Sequence, residues 1–258
     1  MTTGITLKEK SRKILEKFEV MGLLVDSCLL GASRSLIISG PPGIGKTYTV
    51  QNKLTNWDPT TTQYTIARGY VRATGLYKML YNHRFKNNVL VLDDADSVFT
   101  DTTALNILKT VCDTTKERIV SWRSEATLYN DDGIEILPKH FTFEGALIYL
   151  TNIDFDYLVQ KENKLSPHLK ALMSRSHYID LSIKSRQDFL VRIYQLINKG
   201  MLDPLPPEAQ KDIMNYILTN HMLLRELSLR MVVKIKILYE SNPNKWAMIA
   251  NATCLKSR

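Results

Sequence analysis

The sequence is poor in several features that would each mark a definite class of protein. Among 258 residues there are three cysteines, Cys28, Cys112 and Cys254, set far apart. No pair forms a CxxC redox motif and no group has zinc-finger spacing, so a disulfide scaffold and a structural zinc are both disfavoured. Reduced thiols in a cytosol-like compartment are expected instead. Long apolar runs are also missing: nothing approaches the roughly eighteen consecutive apolar residues that a membrane-spanning helix needs. The opening MTTGITLKEKSRKILEKF is charged and has no secretory apolar region, which predicts a soluble, cytoplasmic protein with no membrane partner. There is no internal repeat and no low-complexity run. Acidic residues are in the minority, 26 Asp and Glu against 34 Lys and Arg, and the net charge of +8 favours an anionic partner.

Apolar residues make up 44% of the chain, enough for a substantial core. Up to residue 182, short β-branched runs alternate with helical stretches. The runs are Ser35 to Ser39, Gln63 to Arg68, Val89 to Asp93, Ala146 to Thr151 and His177 to Leu181. Strands separated by helices of this length imply crossover connections, hence a five-stranded parallel α/β sheet with helices on both faces. The segment ERIVSWRSEATLYNDDGIEILPKHFTFEG breaks the rhythm, and its NDDG turn, Asn130 to Gly133, predicts an inserted β-hairpin ahead of the fourth core strand. Beyond residue 182 helix patterning takes over, with helices expected at Gln187 to Asn198, Pro207 to Leu218, Leu223 to Tyr239 and Asn244 to Ala252. Two domains are expected, an α/β nucleotide-binding domain at 1–182 and an all-helical domain at 183–258.

The chemistry concentrates in LIISGPPGIGKTYTV. Gly40, Pro41, Pro42, Gly43, Ile44, Gly45, Lys46 and Thr47 satisfy G-x-x-x-x-G-K-T, directly after a strand and directly before a helix-compatible run. Glycines let backbone N–H groups approach phosphate oxygens, and a helix N-terminus adds a favourable dipole. Lys46 is placed to meet the β- and γ-phosphates and Thr47 to ligate Mg²⁺, with the contacting stretch running on to Tyr48. Phosphoryl transfer to water also needs a metal-orienting carboxylate and a group that positions the water. VLVLDDAD supplies Asp93 for the first task and Asp94 for the second, at the carboxyl end of a buried strand, the edge where parallel sheets collect ligands.

The P-loop GPPGIGKT and the Walker B pattern VLVLDDAD together resemble an AAA+ ATPase, which implies binding of ATP and Mg²⁺. ALIYLTN is similar to the strand that ends in the sensor-1 residue, here Asn152. LKALMSRSHYIDL resembles the segment of clamp-loader subunits that carries the trans arginine finger, here Arg175. ELSLRMVVKI resembles the sensor-2 helix of the AAA+ lid, with Arg230 as the sensor-2 arginine and Arg225 its rival. One departure stands out: the family usually has Glu where this chain has Asp94, a carboxylate one methylene shorter, which implies either slow hydrolysis, as a switch would have, or a local backbone that compensates.

A finger acting in trans implies a homo-oligomer, a hexamer-like ring or helix, with active sites between protomers. Two segments are candidates for contact with a polymer. ARGYVRATG offers Arg68, Tyr70, Val71 and Arg72, an aromatic-aliphatic pair among arginines that suits a base and its phosphates, or alternatively a ring packed under a helix. The hairpin offers Trp122 and Arg123, with Lys139 and His140 on the return arm, in a position that resembles the pre-sensor-1 hairpin of AAA+ proteins acting on DNA. Trp122 is alternatively a core anchor. A third basic stretch lies between Arg225 and Arg258. The resemblance extends to small ATPases of bacterial viruses, acting in the host cytoplasm. It implies an ATP hydrolase that moves or remodels a polymer, nucleic acid in the first place, with a slow nucleotide switch or loader for a protein partner, or a protein unfoldase, as alternatives.

Overall fold

The computed structural model describes residues 6–256. In chain order the elements are α1 (Leu7–Leu29), β1 (Ser35–Ser39), α2 (Lys46–Trp57), β2 (Tyr64–Arg68), α3 (Ala73–Asn82), β3 (Val89–Asp93), a 3-10 turn at Asp96–Phe99, α4 (Thr102–Val111), β4 (Ile119–Ser121) and β5 (His140–Thr142). There follow β6 (Ala146–Thr151), α5 (Phe155–Gln160), α6 (Ser166–Arg175), β7 (His177–Asp180), α7 (Arg186–Ile197), α8 (Pro207–Asn220), α9 (Leu229–Ser241) and α10 (Trp246–Cys254). The chain divides into two compact units. One comprises Glu19–Gly40 and Lys46–Leu181, and the other the described residues through Phe18, Pro41–Gly45 and those from Ser182 onward.

The first unit is built on a five-stranded sheet of order β2-β3-β6-β1-β7. Every pairing in it is parallel. All residues of β1, β3 and β6 are buried, as unbroken apolar strands at the centre of a doubly covered sheet should be. The edge strands β2 and β7 are partly exposed. The architecture is the α/β sheet with helices on both faces expected from the sequence. On one face Phe99 packs edge-on between Tyr149 and Phe155, at 4.8 and 5.3 Å between ring centroids. Each such buried aromatic contributes roughly 1.5–3 kcal/mol. The register sets Ser39 beside Thr151, Asp93 beside Leu150 and Arg68 beside Asp93. Polar residues that end the apolar runs therefore collect along one carboxyl edge.

The inserted hairpin forms as expected. Strands β4 and β5 pair antiparallel, Trp122 N–H donates to the Lys139 carbonyl at 2.8 Å, and Tyr129 bridges Ile136. At the tip the Asn130 side chain accepts from the Ile134 and Glu135 N–H groups, the local chemistry that makes Asx turns. At its base the buried Arg118 donates to the Val111 and Gly145 carbonyls, both at 2.8 Å.

In the second unit α7 to α10 enclose a core that includes Ile193, Ile213, Ile217, Val232 and Ile235. Trp246 packs between Tyr216 and Tyr239, at 5.2 and 5.4 Å. A capping box starts α7, in which Ser185 Oγ accepts from Asp188 N–H and the Asp188 carboxylate accepts from Ser185 N–H. One expected element is corrected. The helix from Leu223 to Tyr239 begins only at Leu229, because Ser228 takes the N-cap and accepts from Met231 N–H. Leu224 is buried by another route, a short antiparallel bridge to Leu255 flanked by Arg225 N–H to the Cys254 carbonyl. Apolar spacing alone does not separate that bridge from a first helical turn. Of the basic residues from Arg225 on, Arg258 lies outside the described residues.

Candidate nucleotide site

The loop between β1 and α2 has the backbone of an anion cradle. Gly43 and Gly45 adopt φ of 74° and 97°, a region that side chains rarely enter and glycine enters freely. Helix α2 starts at Lys46, and the N-terminus of a helix is suited to an anion.

Lys46 is 5% exposed, and its ammonium is directed inward. Nζ donates to the Gly40 carbonyl and, at 2.8 Å, to Asn152 Oδ1. The Asn152 amide in turn donates through Nδ2 to Asp94 Oδ1 at 2.9 Å. An ammonium can only donate and a carboxylate here only accepts, so this chain fixes the orientation of the Asn152 amide. Asp94 itself has φ of 53° and its N–H is tied to the Leu150 carbonyl at 3.0 Å. Alongside, Thr47 Oγ1 donates to Asp93 Oδ1 at 3.0 Å. The start of α2 and the ends of β3 and β6 thus bring together a hydrogen-bonded chain, Lys46–Asn152–Asp94, and beside it a Thr47–Asp93 pair.

This donor set suits Mg²⁺ with a nucleotide. A hydroxyl and a carboxylate in contact are hard oxygen ligands of the kind Mg²⁺ takes, few in number, with phosphate oxygens and waters completing the shell. Among the described residues no group of three or more His, Cys, Asp or Glu could hold a metal by itself, so an ion at Thr47 and Asp93 depends on the phosphates.

Two contacts beside this group are not legible in the sequence. Arg68 donates from Nε to Asp93 Oδ2 at 3.1 Å while its terminal amine reaches Gln51 Oε1, also at 3.1 Å. The third acid of DDAD, Asp96, accepts through Oδ1 from both Tyr149 Oη, at 2.9 Å, and Thr151 Oγ1, at 2.8 Å. Thr151 Oγ1 also accepts from Ile153 N–H. Burial, reinforced by the neighbouring Asp96, pushes the Tyr149 hydroxyl far above its usual range and keeps it a donor. Asp96 therefore straps the turn after β3 to the end of β6, and so fixes Asp94 against Asn152. The only sequence signal was the acid two residues after Asp94.

The remaining candidates divide. Tyr48 is 65% exposed and Tyr70 75% exposed, with the Arg72 guanidinium 5.8 Å from the Tyr70 ring centroid. Val71 is corrected: it is buried in the core, with its N–H and carbonyl both bonded to Ser97 Oγ, and is not available to grip a substrate. Arg68 is likewise engaged with Asp93. Trp122 is half-buried, with its ring 5.7 Å from that of Tyr77, so its body is a packing anchor. Arg123 is exposed beside it, on the rim of an open depression of about 560 Å³ that also includes Glu125 and His140. Lys139 is tied to the Ser124 and Ala126 carbonyls. Arg175, at the end of α6, donates to the Ala171 carbonyl and stands 3.9 Å from Asp113. Arg230 is exposed in the first turn of α9, and Arg225 is exposed before it.

No family model matches the sequence. The chain is 34% identical over 247 residues to an uncharacterised 36.7 kDa protein encoded in the nrdC-mobD intergenic region of enterobacteria phage T4, covering 94% of this chain and 75% of the phage protein. Among solved structures it resembles two point mutants of Thermotoga maritima RuvB. One has a TM-score of 0.50 at 12% identity, covering 92% of this chain and 68% of the RuvB chain. The other has a TM-score of 0.50 at 12% identity, covering 96% and 72%.

Proposed function

Since the chain belongs to one family with the 36.7 kDa phage T4 protein and has the AAA+ fold, we propose that it is an oligomeric AAA+ ATPase. Binding and hydrolysis of Mg-ATP then drive movement or remodelling of a polymer, nucleic acid in the first place. The observation that carries this reading is the continuous chain Lys46–Asn152–Asp94 beside the Thr47–Asp93 pair. A cradle alone would only hold phosphate, whereas this group also presents a carboxylate to a water and an oxygen pair to a metal.

In the reaction Mg²⁺ supplies charge neutralisation on the phosphates, and the protein supplies position. Lys46 turns its ammonium from Gly40 and Asn152 to phosphate oxygens. Asn152, held by its neighbours, orients Asp94, which accepts a hydrogen bond from the attacking water. Arg175 completes the site of a neighbouring protomer after leaving Asp113, and Arg230 contacts nucleotide from α9. Nucleic acid is favoured over protein by the net charge of +8 and by the exposed Tyr70, Arg72 and Arg123, a set that stacks on bases and pairs with phosphates. An unfoldase would grip its substrate with an aromatic-aliphatic pair such as Tyr70 and Val71, and Val71 lies in the core. A slow switch or loader remains as the second reading, favoured by two arginines held on local carboxylates, Arg68 on Asp93 and Arg175 near Asp113. Among the described residues no helix is long and apolar enough to cross a membrane.

The test is an ATPase assay with single-stranded DNA, duplex DNA, RNA and an unfolded protein, beside Lys46→Ala and Arg175→Ala. Stimulation by unfolded protein and by no nucleic acid sinks the polymer assignment. Tight ATP binding with negligible turnover under every condition favours the switch. Normal turnover in Arg175→Ala removes the finger, and a monomer in saturating ATP analogue by mass photometry removes the oligomer.

A further inference from the structure

Two arginines are almost completely buried, and they are buried differently. Arg118 has its charge met by two carbonyl acceptors at 2.8 Å on separate guanidinium nitrogens, although burial and the nearby Arg34 lower its pKa to about 10. Arg192, near the middle of α7, is also 4% exposed. Its Nε makes one long hydrogen bond, 3.3 Å, to the Ile44 carbonyl, and its guanidinium carbon lies 3.3 Å from the centroid of the Phe18 ring. Among the described residues no carboxylate pairs with it. Burial lowers its pKa to about 10, which leaves it charged at neutral pH.

A cation this far buried with no counter-ion is costly to fold. The Phe18 ring and the Ile44 carbonyl are the contacts that meet the guanidinium, and neither carries a negative charge. What lies next to it is the P-loop: Nη2 is 3.8 Å from where a Cβ on Gly45 would stand. The arch of Pro41 to Gly45 is shaped for an anion, and an anion bound there is the missing counter-charge.

We propose that Arg192 is a nucleotide-binding residue whose guanidinium supplies positive charge to the phosphates of a nucleoside di- or triphosphate held by the P-loop. The assignment rests on the nucleotide-binding reading of that loop. It makes Arg192 a residue kept for ligand at the expense of the ligand-free fold, unlike Arg118, which braces the hairpin base.

The experiment combines thermal melting without ligand and calorimetric titration with Mg-ATP and Mg-ADP. It uses wild type, Arg192→Met, Arg192→Lys and, as the bracing control, Arg118→Met. Without ligand, Arg192→Met is expected to melt no lower than wild type while Arg118→Met melts clearly lower. Affinity for both nucleotides should fall about tenfold or more in Arg192→Met and become less dependent on salt, while Arg192→Lys retains most of it. Arg192→Met that melts lower and binds ATP like wild type overturns the assignment, as does a loss of both properties that Arg192→Lys does not restore. If wild type binds neither nucleotide, the P-loop reading itself fails, and Arg192 is judged on inorganic pyrophosphate. Equal binding of pyrophosphate by wild type and Arg192→Met then overturns it.

Discussion

Replacing Asp94 by Glu, the residue its AAA+ resemblance would lead one to expect, should slow this protein. The Asp94 carboxylate already meets Asn152 Nδ2 at 2.9 Å, and Asn152 meets Lys46 at 2.8 Å, so the chain closes with the shorter side chain. One more methylene advances the carboxylate by about 1.3 Å. Displacement of about 1 Å at a reacting centre costs on the order of a hundredfold in rate. The backbone adds a second penalty in the same direction. At φ of 53° Asp is among the few residues tolerated, because its short polar group bonds locally, and a longer side chain loses about 1 kcal/mol there. For a chain of this size that is a fall of about 2–4 °C in Tm. Asp94→Glu should therefore show kcat lowered about 10- to 100-fold, nucleotide Kd within about twofold, and a slightly lower Tm. Steady-state phosphate release, titration with a fluorescent nucleotide and a melting curve measure the three. A variant that hydrolyses ATP ten times faster than wild type at unchanged Kd would show that the left-handed turn does not compensate for the missing methylene, and the reasoning would fail.

Asp96→Ala should lower kcat about tenfold with nucleotide affinity little changed, because it frees the turn that holds Asp94 without touching the cradle. Asp96→Asn, which still accepts from Tyr149 and Thr151, should restore most of the rate, and equal losses in both variants would refute the strap. Val71→Ala should cost roughly 1–3 kcal/mol of stability as a core truncation, whereas Tyr70→Ala should leave the melt unchanged and abolish polymer stimulation. The reverse pattern in melting and ATPase assays would place the substrate contact on Val71. Asp188 has its pKa raised by burial, but the Ser185 hydroxyl and N–H, Lys10 and the Lys184 N–H outweigh that and lower it. A lowered folded pKa means the unfolded chain binds more protons in acid, so the stabilisation is complete above the unfolded value near 3.9 and is lost as pH falls through the folded one. The Tm difference between wild type and Asp188→Asn should be constant from about pH 7 to pH 5 and shrink below about pH 4; a difference that grows in acid would reverse the assigned direction.

Much of the site was readable before any coordinates. Gly40 to Thr47 is one covalent stretch, and the glycines at 43 and 45 have the positive φ that such a loop needs. The unbroken apolar runs ending in Asp93 and Thr151 announced central parallel strands, and once the strands are parallel and adjacent their ends must meet. The hairpin was readable for a similar reason, since Asn130 bonds to N–H groups within its own turn. What failed were inferences about single side chains without such local constraint. Val71 follows an exposed tyrosine but turns inward to Ser97. Arg68, one of two arginines flanking Tyr70, folds back to Asp93, which the pairing of β2 with β3 brings alongside. The helix start at Leu229 went unread because Leu224 finds its burial partner at Leu255, thirty-one residues later in the sequence.

The sequence by itself determined the glycine loop before α2, the acids at the end of β3 and the order of strands and helices, because those depend on neighbours in the chain and on the periodicity of burial. Only the tertiary structure decided which charges are committed and which are in reserve. It set Arg68 on Asp93, Asp96 under Tyr149 and Thr151, and Arg192 behind the P-loop without a carboxylate. Pairings of that kind join residues up to about 150 positions apart in sequence, as Arg192 and Ile44 are, and their energies arise from desolvation and from acceptor geometry that exist only once the core has closed.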